Sequence, residues 1–408
     1  MRHPTLFLSA ILLLATPTRA QPPDLPAIRS FYEAGLKQNG ILGSSLAILR
    51  DGKVLLHDNY GIQAQNPNAP VDDDTTYHWA SCTKTLTGIA IMQLRDRGLL
   101  SLDDPLVKYI PELAAIHDPY GPIPAITLRH AMSHSAGFRD PTWPWRPDGA
   151  EDQPWQPFEP TAWSQIVAML PYTAIAFPPG SKFSYSNLGV VFLGEIIERL
   201  SGDPYAVYME KNILRPLGMS RSYYDKSPYH LLPYRSHSWD LVKGKLSEDP
   251  FDFNTGITRS NGGLNAPLGD MLKYLNFLLG DPKQSPESAS VLKRSSLEEM
   301  AKPLLPVPVN DDFQSRPGAH DEVASSFFVH TDGQLKLIGH AGWQNGFRSH
   351  FYLDPATHTA YIVAYNPDAQ DTAAATPISP TLNASPAQNT RTFDFQLRDY
   401  LIDHIFRQ

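Results

Sequence analysis

Ser81 and Lys84 are the pair of side chains in this sequence best suited to chemistry, because a hydroxyl and an amine stand three residues apart. On a helix, side chains at this spacing project from one face and lie close together. An amine beside a hydroxyl can take or steer its proton, which makes a weak nucleophile reactive. The pair therefore predicts acyl transfer through a covalent intermediate on Ser81.

The Ser-x-x-Lys pattern is not specific by itself, because Ser290 and Lys293 repeat it. The context of the two matches differs. After Ser81, apolar residues recur at the spacing of an amphipathic helix from Thr83 to about Arg97. Ser81 is then expected at a helix N-terminus, where free N–H groups and the helix dipole favour an alkoxide. Ser290 follows a Pro- and Ser-rich stretch and precedes charged residues, so we expect a solvated helix start there.

Two further short motifs carry polar side chains at the edges of predicted elements. Residues 185–187 are Tyr, Ser and Asn at the start of a predicted helix, and such residues are good N-caps. His340 follows a strand predicted over 335–338, and Gly342 lets a backbone or ligand approach closely. Taken singly, the first motif is typical of a helix cap and His340 of a hydrogen-bonded structural histidine.

The three motifs in chain order resemble the active-site motifs of the serine β-lactamase and penicillin-binding peptidase superfamily. They are Ser81 with Lys84, Tyr185 with Asn187, and His340 with Gly342. Tyrosine in the second motif resembles the class C β-lactamase branch, with its DD-peptidases, D-aminopeptidases and family VIII esterases. Four connecting stretches resemble that branch as well. They are 127–137, 178–180, 214–219 and 260–263.

The elements that position these motifs are strands at both ends of the chain and helices between them. Hairpins are predicted over 43–61, 325–338 and 348–365, the first two around Asp-Gly turns. This order predicts one mixed sheet built from both chain ends, with a helical lobe inserted and a cleft between the lobes. The resemblance implies an α/β (α+β) class, the β-lactamase/transpeptidase-like fold, in which helices flank an antiparallel sheet of N- and C-terminal strands.

The first twenty residues have the layout of a secretory signal peptide. Arg2 precedes an apolar run over 6–15, and small residues lead to a cleavage site near Ala20. We therefore expect a secreted or periplasmic protein with one catalytic domain over 21–408 and no stable membrane anchor.

Within that domain, we expect a sheet lobe at about 25–78 and 300–408 and a helical lobe at about 80–290. Residues 370–390 are rich in small and polar residues and predict a mobile loop. The Pro-rich stretch 140–160 carries three tryptophans, which favour either an aromatic rim over a pocket or a packed surface loop. They are Trp143, Trp145 and Trp155.

Composition narrows the range of partners. The formal net charge is −8 and no basic run occurs, which argues against nucleic acids and anionic membranes. The single cysteine, Cys82, excludes an internal disulfide. The sequence has no Gly-x-Ser-x-Gly elbow, and His130 and His134 lack the glutamate of a zincin motif. We expect His134 to be structural, no metal or cofactor, and a small-molecule or peptide substrate: a cell-wall peptide, an ester or a β-lactam. The oligomeric state stays open.

The resemblance also implies a role for each site residue. Ser81 Oγ attacks a carbonyl, and Lys84 and Tyr185 hold a proton relay in which either is the acylation base. The backbone N–H groups of Ser81 and Trp343 form an oxyanion hole, and Asn187 holds the substrate chain and the Lys84 ammonium.

One residue departs from the β-lactamase pattern. His340 and Gly342 belong to the substrate-binding set, but β-lactamases of this branch carry Lys where this chain has His340. A histidine with an ordinary pKa of about 6.5 is largely neutral at pH 7 and grips a carboxylate poorly. We expect weak or absent penicillin hydrolysis. A peptidase or amidase that acts on D-amino-acid substrates and a short-chain esterase are equally favoured interpretations. A β-lactamase proper and a non-catalytic penicillin-binding or scaffold protein are the alternatives.

Overall fold

The computed structural model describes residues 23–138, 160–242, 245–252, 254–280, 285–309, 316–367 and 390–407. Three of the regions discussed above lie outside these residues. They are the signal peptide, the tryptophans at 143, 145 and 155, and the predicted loop 370–390 except its last residue.

Strands occupy the two ends of the described chain and short segments between them. They are β1 (Gly43–Arg50), β2 (Lys53–Ala64), β3 (Ala69–Pro70), β4 (Thr76–His78), β5 (Tyr223–Tyr224), β6 (Ser238–Val242), β7 (Lys245–Asp249), β8 (Leu264–Pro267), β9 (Leu305–Pro306), β10 (His320–Val323), β11 (Phe328–Asp332), β12 (Leu335–Gln344), β13 (Phe347–Asp354) and β14 (Thr359–Tyr365).

Helices fill the middle of the chain and flank both faces of the sheet. They are α1 (Leu25–Gln38), α2 (Thr83–Asp96), α3 (Leu106–Tyr109), α4 (Leu128–Met132), α5 (Trp163–Met169), α6 (Asn187–Ser201), α7 (Tyr205–Met209), α8 (Arg259–Gly262), α9 (Leu268–Leu279), α10 (Pro286–Ala289), α11 (Arg294–Met300) and α12 (Thr390–Leu401). None of the helices in the described part of the chain is long and apolar enough to cross a bilayer.

The main sheet joins the two ends of the chain. Its order within the described residues is β3-β2-β1-β14-β13-β12-β11-β10-β9, and β1 pairs with β14 from Ser44 opposite Tyr365 to Arg50 opposite Thr359. Every neighbouring pair is antiparallel, so the prediction of a mixed sheet is wrong and the antiparallel sheet implied by the resemblance is confirmed. Tight hairpins connect most neighbours, and a hairpin can only join antiparallel strands.

The sheet has a hydrophobic core on each face. On one face α1 and α12 pack against β1, β14 and β12. On the other face the larger core contains α2, α6 and α9. Helix α2 is buried from Thr83 to Leu94, because the sheet and the inserted helices surround it on all sides. Ser81 lies in the turn directly before this buried helix. It is therefore held where the sheet and the inserted helices meet.

Strand β12 differs most from its prediction. It runs to Gln344 instead of ending at residue 338, and its pairing with β13 extends to Gln344 opposite Phe347. The turn that closes this hairpin is Asn345-Gly346, with φ of +50° and +72°, the conformation favoured by two-residue hairpins. His340 therefore lies inside a strand and not beyond its end.

Helix α12 is tied to the sheet by a buried ionic cluster. Asp394 accepts from Arg348 Nη1 at 3.3 Å and lies 2.7 Å from His350 Nδ1. All three residues are only 3% exposed. The cluster links the last helix to β13, the neighbour of β12.

We predict that Asp394→Ala lowers the free energy of unfolding by about 3–5 kcal/mol, because it leaves the buried Arg348 guanidinium without its carboxylate. Denaturant unfolding of the purified variant measures this loss. Asp399→Ala is the matched control on the same helix, since its carboxylate is 39% exposed and pairs with Arg398 at 2.9 Å. The Asp399→Ala control is expected to lower the free energy of unfolding by at most about 1 kcal/mol. Equal losses in the two variants would contradict the prediction.

Candidate active site

Ser81 lies in a single 3₁₀ turn, Ala80–Cys82, directly before α2. Ala80 has a φ of +46°, a left-handed conformation that costs a non-glycine residue about 1–2 kcal/mol. Such strain persists only where the surroundings impose it, and it is common at functional sites. The turn lets the chain pass from the short strand β4 into α2 with Ser81 half-buried at the corner.

Lys84 lies one turn further on and is only 1% exposed. Its Nζ donates to Ser81 Oγ at 2.8 Å and to the main-chain carbonyl of Asn261 at 2.6 Å. The structure thus brings the serine and the lysine into direct contact. Asn261 belongs to α8 and is a site residue that sequence reasoning missed, because a backbone carbonyl has no sequence signature. The one available signal was the stretch 260–263, which contains Asn261 and was noted only as part of the resemblance.

Tyr185 is the third member of the cluster. Lys84 Nζ lies 5.0 Å from the centre of the Tyr185 ring. The tyrosine precedes the N-cap of α6, where Ser186 Oγ accepts from Gly189 N–H at 3.2 Å. Asn187 follows as the first residue of α6 and is half-buried. The motif is therefore a helix cap that also places a phenol beside Lys84.

His134 holds this tyrosine in position and was not among the predicted site residues. Its imidazole stacks on the Tyr185 ring with centres 4.3 Å apart, and its Nδ1 accepts from Ser186 N–H at 3.1 Å. Its carbonyl accepts from Ser184 N–H at 2.8 Å. Burial, and then the charge of Lys84, lower the pKa of His134 well below 6.5, so the ring is neutral at pH 7. The expectation that His134 is structural agrees with these contacts, which are all to the segment that carries Tyr185.

Gly342 brings β12 against the serine. A Cβ atom at Gly342 would lie 2.4 Å from Trp79 O and 2.9 Å from Ser81 N, so no larger residue fits without a shift. This approach places the main chain of β12 beside the Ser81 N–H, where the resemblance implies an oxyanion hole completed by Trp343. The Trp343 side chain, one residue further, alternates to the other face of the sheet and lies over the Arg348 guanidinium at 5.4 Å.

His340 is buried two residues before Gly342 and is only 3% exposed. Burial, with a further effect of the Lys84 charge, lowers the pKa of His340 to about 3. The ring is therefore neutral at pH 7, and its Nδ1 donates to Ala341 O at 2.6 Å. Nε2 is left as an acceptor, with no hydrogen-bond partner among the described residues. The Phe328 ring lies 5.1 Å from the His340 ring, in an edge-to-face arrangement.

The two other candidate nucleophiles lie away from this arrangement. Cys82 is fully buried, and burial raises the pKa of its thiol to about 12, which disfavours the reactive thiolate. Ser290 is exposed, and its Oγ donates to Glu287 O at 2.7 Å. Lys293 is the N-cap of α11 and is also exposed. Of the two Ser-x-x-Lys matches, only the first is buried and joined to a tyrosine.

Comparison with known proteins identifies the family. The family model described as Beta-lactamase matches residues 28–378. The chain belongs to the β-lactamase family.

Individual matches to the β-lactamase-family chain are distant in sequence. Protein flp of Staphylococcus aureus (strain N315) is 24% identical over 353 residues, 86% of this chain and 64% of that protein. The chain thus spans a little less than two thirds of the length of this relative. The octameric penicillin-binding protein homologue from Pyrococcus abyssi has a TM-score of 0.70 and 24% identity, covering 90% of this chain and 77% of that one. The D-amino acid amidase from Ochrobactrum anthropi SV3, complexed with D-phenylalanine, has a TM-score of 0.70 and 21% identity, covering 94% and 99%. These structures confirm the fold.

We predict that Gly342→Ala lowers kcat by about 100-fold to 1,000-fold, because the added Cβ separates β12 from the Ser81 N–H and weakens the predicted oxyanion hole. Steady-state hydrolysis of a p-nitrophenyl ester measures the change. Gly269→Ala in α9 is the matched control, since a Cβ there meets no atom within 4 Å. A Gly342→Ala variant as active as this control would contradict the assignment.

We also predict a pH dependence of stability from His340. Because the folded state keeps this imidazole neutral and the unfolded state protonates it below about pH 6.5, the unfolded state binds more protons and stability falls as the pH drops from 6 to 4. One such histidine lowers the free energy of unfolding by roughly 2–3 kcal/mol between pH 6 and pH 4. His340→Gln should flatten the curve by this amount in denaturant unfolding at several pH values. His320→Gln, at an exposed histidine of β10, is the control, and equal flattening in both variants would refute the explanation.

Proposed function

We propose that the protein is a secreted serine hydrolase that forms an acyl-enzyme on Ser81 and cleaves amide or ester bonds of D-amino-acid peptides, D-amino-acid amides or short-chain esters. Export rests on the sequence of residues 1–20. The hydrolytic chemistry rests on the contact of Ser81 with Lys84 and on Tyr185 beside that lysine.

The proposed reaction has two halves. Ser81 Oγ attacks the substrate carbonyl while its proton passes to the relay of Lys84 and Tyr185. The oxyanion that forms is stabilised by the N–H groups of Ser81 and Trp343, and its collapse expels an amine or alcohol that takes the proton back. Water then attacks the acyl carbonyl while the relay takes one of its protons, and the relay passes that proton to Ser81 Oγ as the ester bond to the serine breaks and the carboxylic acid leaves.

The burial of His340, with its Nδ1 donating to Ala341 O, is the single observation that favours these substrates over penicillins, because this environment disfavours a charged imidazole. A penicillin carries a carboxylate on its leaving-group side, and binding it requires a cation or several donors at that end of the cleft. His340 offers an acceptor nitrogen there, with an aromatic ring beside it. An uncharged leaving group is therefore the better fit. The D-amino acid amidase from Ochrobactrum anthropi SV3, whose complex holds D-phenylalanine, is similar to this chain in fold.

A substrate panel with two serine variants tests the proposal. The panel contains p-nitrophenyl butyrate, D-alanine p-nitroanilide, a D-Ala-D-Ala peptide, penicillin G and a chromogenic cephalosporin. We predict hydrolysis of p-nitrophenyl butyrate or D-alanine p-nitroanilide, and at least 100-fold lower kcat/KM on the three substrates that carry a carboxylate on the leaving-group side, the D-Ala-D-Ala peptide and the two β-lactams. Ser81→Ala is expected to lose at least 1,000-fold of the activity. Ser290→Ala, which removes the serine of the second Ser-x-x-Lys pattern, is the matched control and should retain full activity.

Three outcomes would contradict the proposal. Efficient turnover of penicillin or cephalosporin would favour the β-lactamase alternative. Activity or fluorescent phosphonate labelling that persists in Ser81→Ala would show that the nucleophile is wrongly assigned. Stable labelling of Ser81 with no turnover of any substrate would favour a non-catalytic binding protein.

A further inference from the structure

The face of β12 that meets the serine carries a row of three residues. Successive side chains of a strand alternate between its faces, so His340, Gly342 and Gln344 share one face at intervals of about 7 Å. Gly342, in the middle of the row, is the residue that lies against Ser81 N. His340 and Gln344 therefore flank the nucleophile on opposite sides along the strand.

The His340 side of the row is aromatic. The Phe328 ring lies 5.1 Å from the His340 ring and 6.5 Å from the Tyr185 ring. Tyr185, a member of the proton relay, is therefore at the same end of the cleft as His340.

The Gln344 side of the row is polar and rigidly built. Gln344 Oε1 lies 3.1 Å from His78 Nε2, and His78 Nδ1 lies 3.0 Å from Asn265 Oδ1. His78 is only 5% exposed, so the imidazole is a buried bridge between two carboxamides. Gln344 Oε1 also lies 2.5 Å from where a Cβ of Gly262 would be, so the carboxamide packs closely over a residue without a side chain. The half-buried Gln344 side chain is thereby held at the edge of the cleft.

The position of the proton relay determines on which side of Ser81 the leaving group and the acyl part of the substrate lie. This step rests on the proposed function. The leaving amine or alcohol must receive its proton from the relay, so it lies at the end of Tyr185 and His340. The acyl part then extends from Ser81 the other way, toward Gln344. A carboxamide offers both a donor and an acceptor, so it pairs with a polar substituent and gains nothing from an alkyl chain.

We infer that Gln344 is a specificity-determining residue that binds a polar substituent next to the reacting carbonyl, and that His78 is its positioning residue. The preferred acyl part is then an aminoacyl or acylaminoacyl group and not a plain alkanoyl chain. This selects the D-amino-acid amides, peptides and esters within the substrate range proposed above. A site that hydrogen-bonds one substrate group discriminates strongly against the analogue that lacks it.

Covalent labelling with a matched pair of phosphonates tests this inference independently of turnover. Diphenyl 1-aminoethylphosphonate and diphenyl ethylphosphonate differ only in the amino group. With either one, a bond forms between Ser81 Oγ and phosphorus, a P–O bond breaks, and phenol leaves with the serine proton. The labelling-rate ratio of the two probes in the wild type should exceed about 10, within the range measured when one polar contact is lost.

Substitution of Gln344 identifies the residue responsible for that ratio. Gln344→Met keeps the length of the side chain and removes its hydrogen bonds, so the ratio should fall at least fivefold while the ethylphosphonate rate changes less than about threefold. Gln38→Met, at an exposed glutamine of α1 on the other face of the sheet, is the control and should leave both rates unchanged. His78→Phe should lower the ratio partly, since Gln344 remains but loses its support.

The outcomes separate this inference from the proposed function. A wild-type ratio near one, an unchanged ratio in Gln344→Met, or an equal loss of both rates in that variant would overturn the role of Gln344. Labelling that survives Ser81→Ala would instead overturn the proposed nucleophile.

Discussion

The contact of β12 with the turn that carries Ser81 is the interaction on which the whole site depends. It is possible only because residue 342 has no side chain, and contacts on either side of it hold the two segments together. Ser349 Oγ of β13 donates to Trp79 O at 3.2 Å, and Cys82 Sγ lies 3.6 Å from His340 O. The sheet, built from both ends of the chain, thus supplies the His340 and Gly342 side of the candidate site, and the inserted segment supplies Ser81, Lys84 and Tyr185. Neither part contains a complete site by itself.

The charge of Lys84 determines much of the chemistry around it. Its ammonium is buried and held by two oxygen acceptors, Ser81 Oγ and Asn261 O. The same charge adds to burial in lowering the pKa values of His134 and His340, so both imidazoles stay neutral close to the cation. A neutral histidine beside a buried lysine avoids placing a second positive charge in this buried environment, where it would be costly. The candidate site consequently surrounds one buried cation with neutral imidazoles and aromatic rings.

Much of the fold could be predicted from local patterns. The hairpin around Asp51-Gly52 and the helix α2 match their predictions closely, because turn chemistry and apolar spacing are local signals. Strand β12 could not be predicted at its full length, since its glycines weaken the strand pattern and serve a contact distant in sequence. The carbonyl of Asn261 and the ring of His134 join the site only through tertiary packing. The motif side chains could be proposed as site residues because their chemistry is visible in residue type, whereas the groups that contact them could not.

The motif at 185–187 shows why a structural and a functional interpretation need not compete. Ser186 caps α6 with an extended backbone, φ −140° and ψ 114°, so the chain changes direction between Tyr185 and the helix. That change of direction keeps Tyr185 out of the helix and lets its ring stack on His134. His134 Nδ1 in turn accepts a hydrogen bond from Ser186 N–H. Ser186 is therefore held both by its own helix and by His134. The cap is therefore the device that fixes the position of the tyrosine, and a residue that weakened the cap would move the phenol away from Lys84.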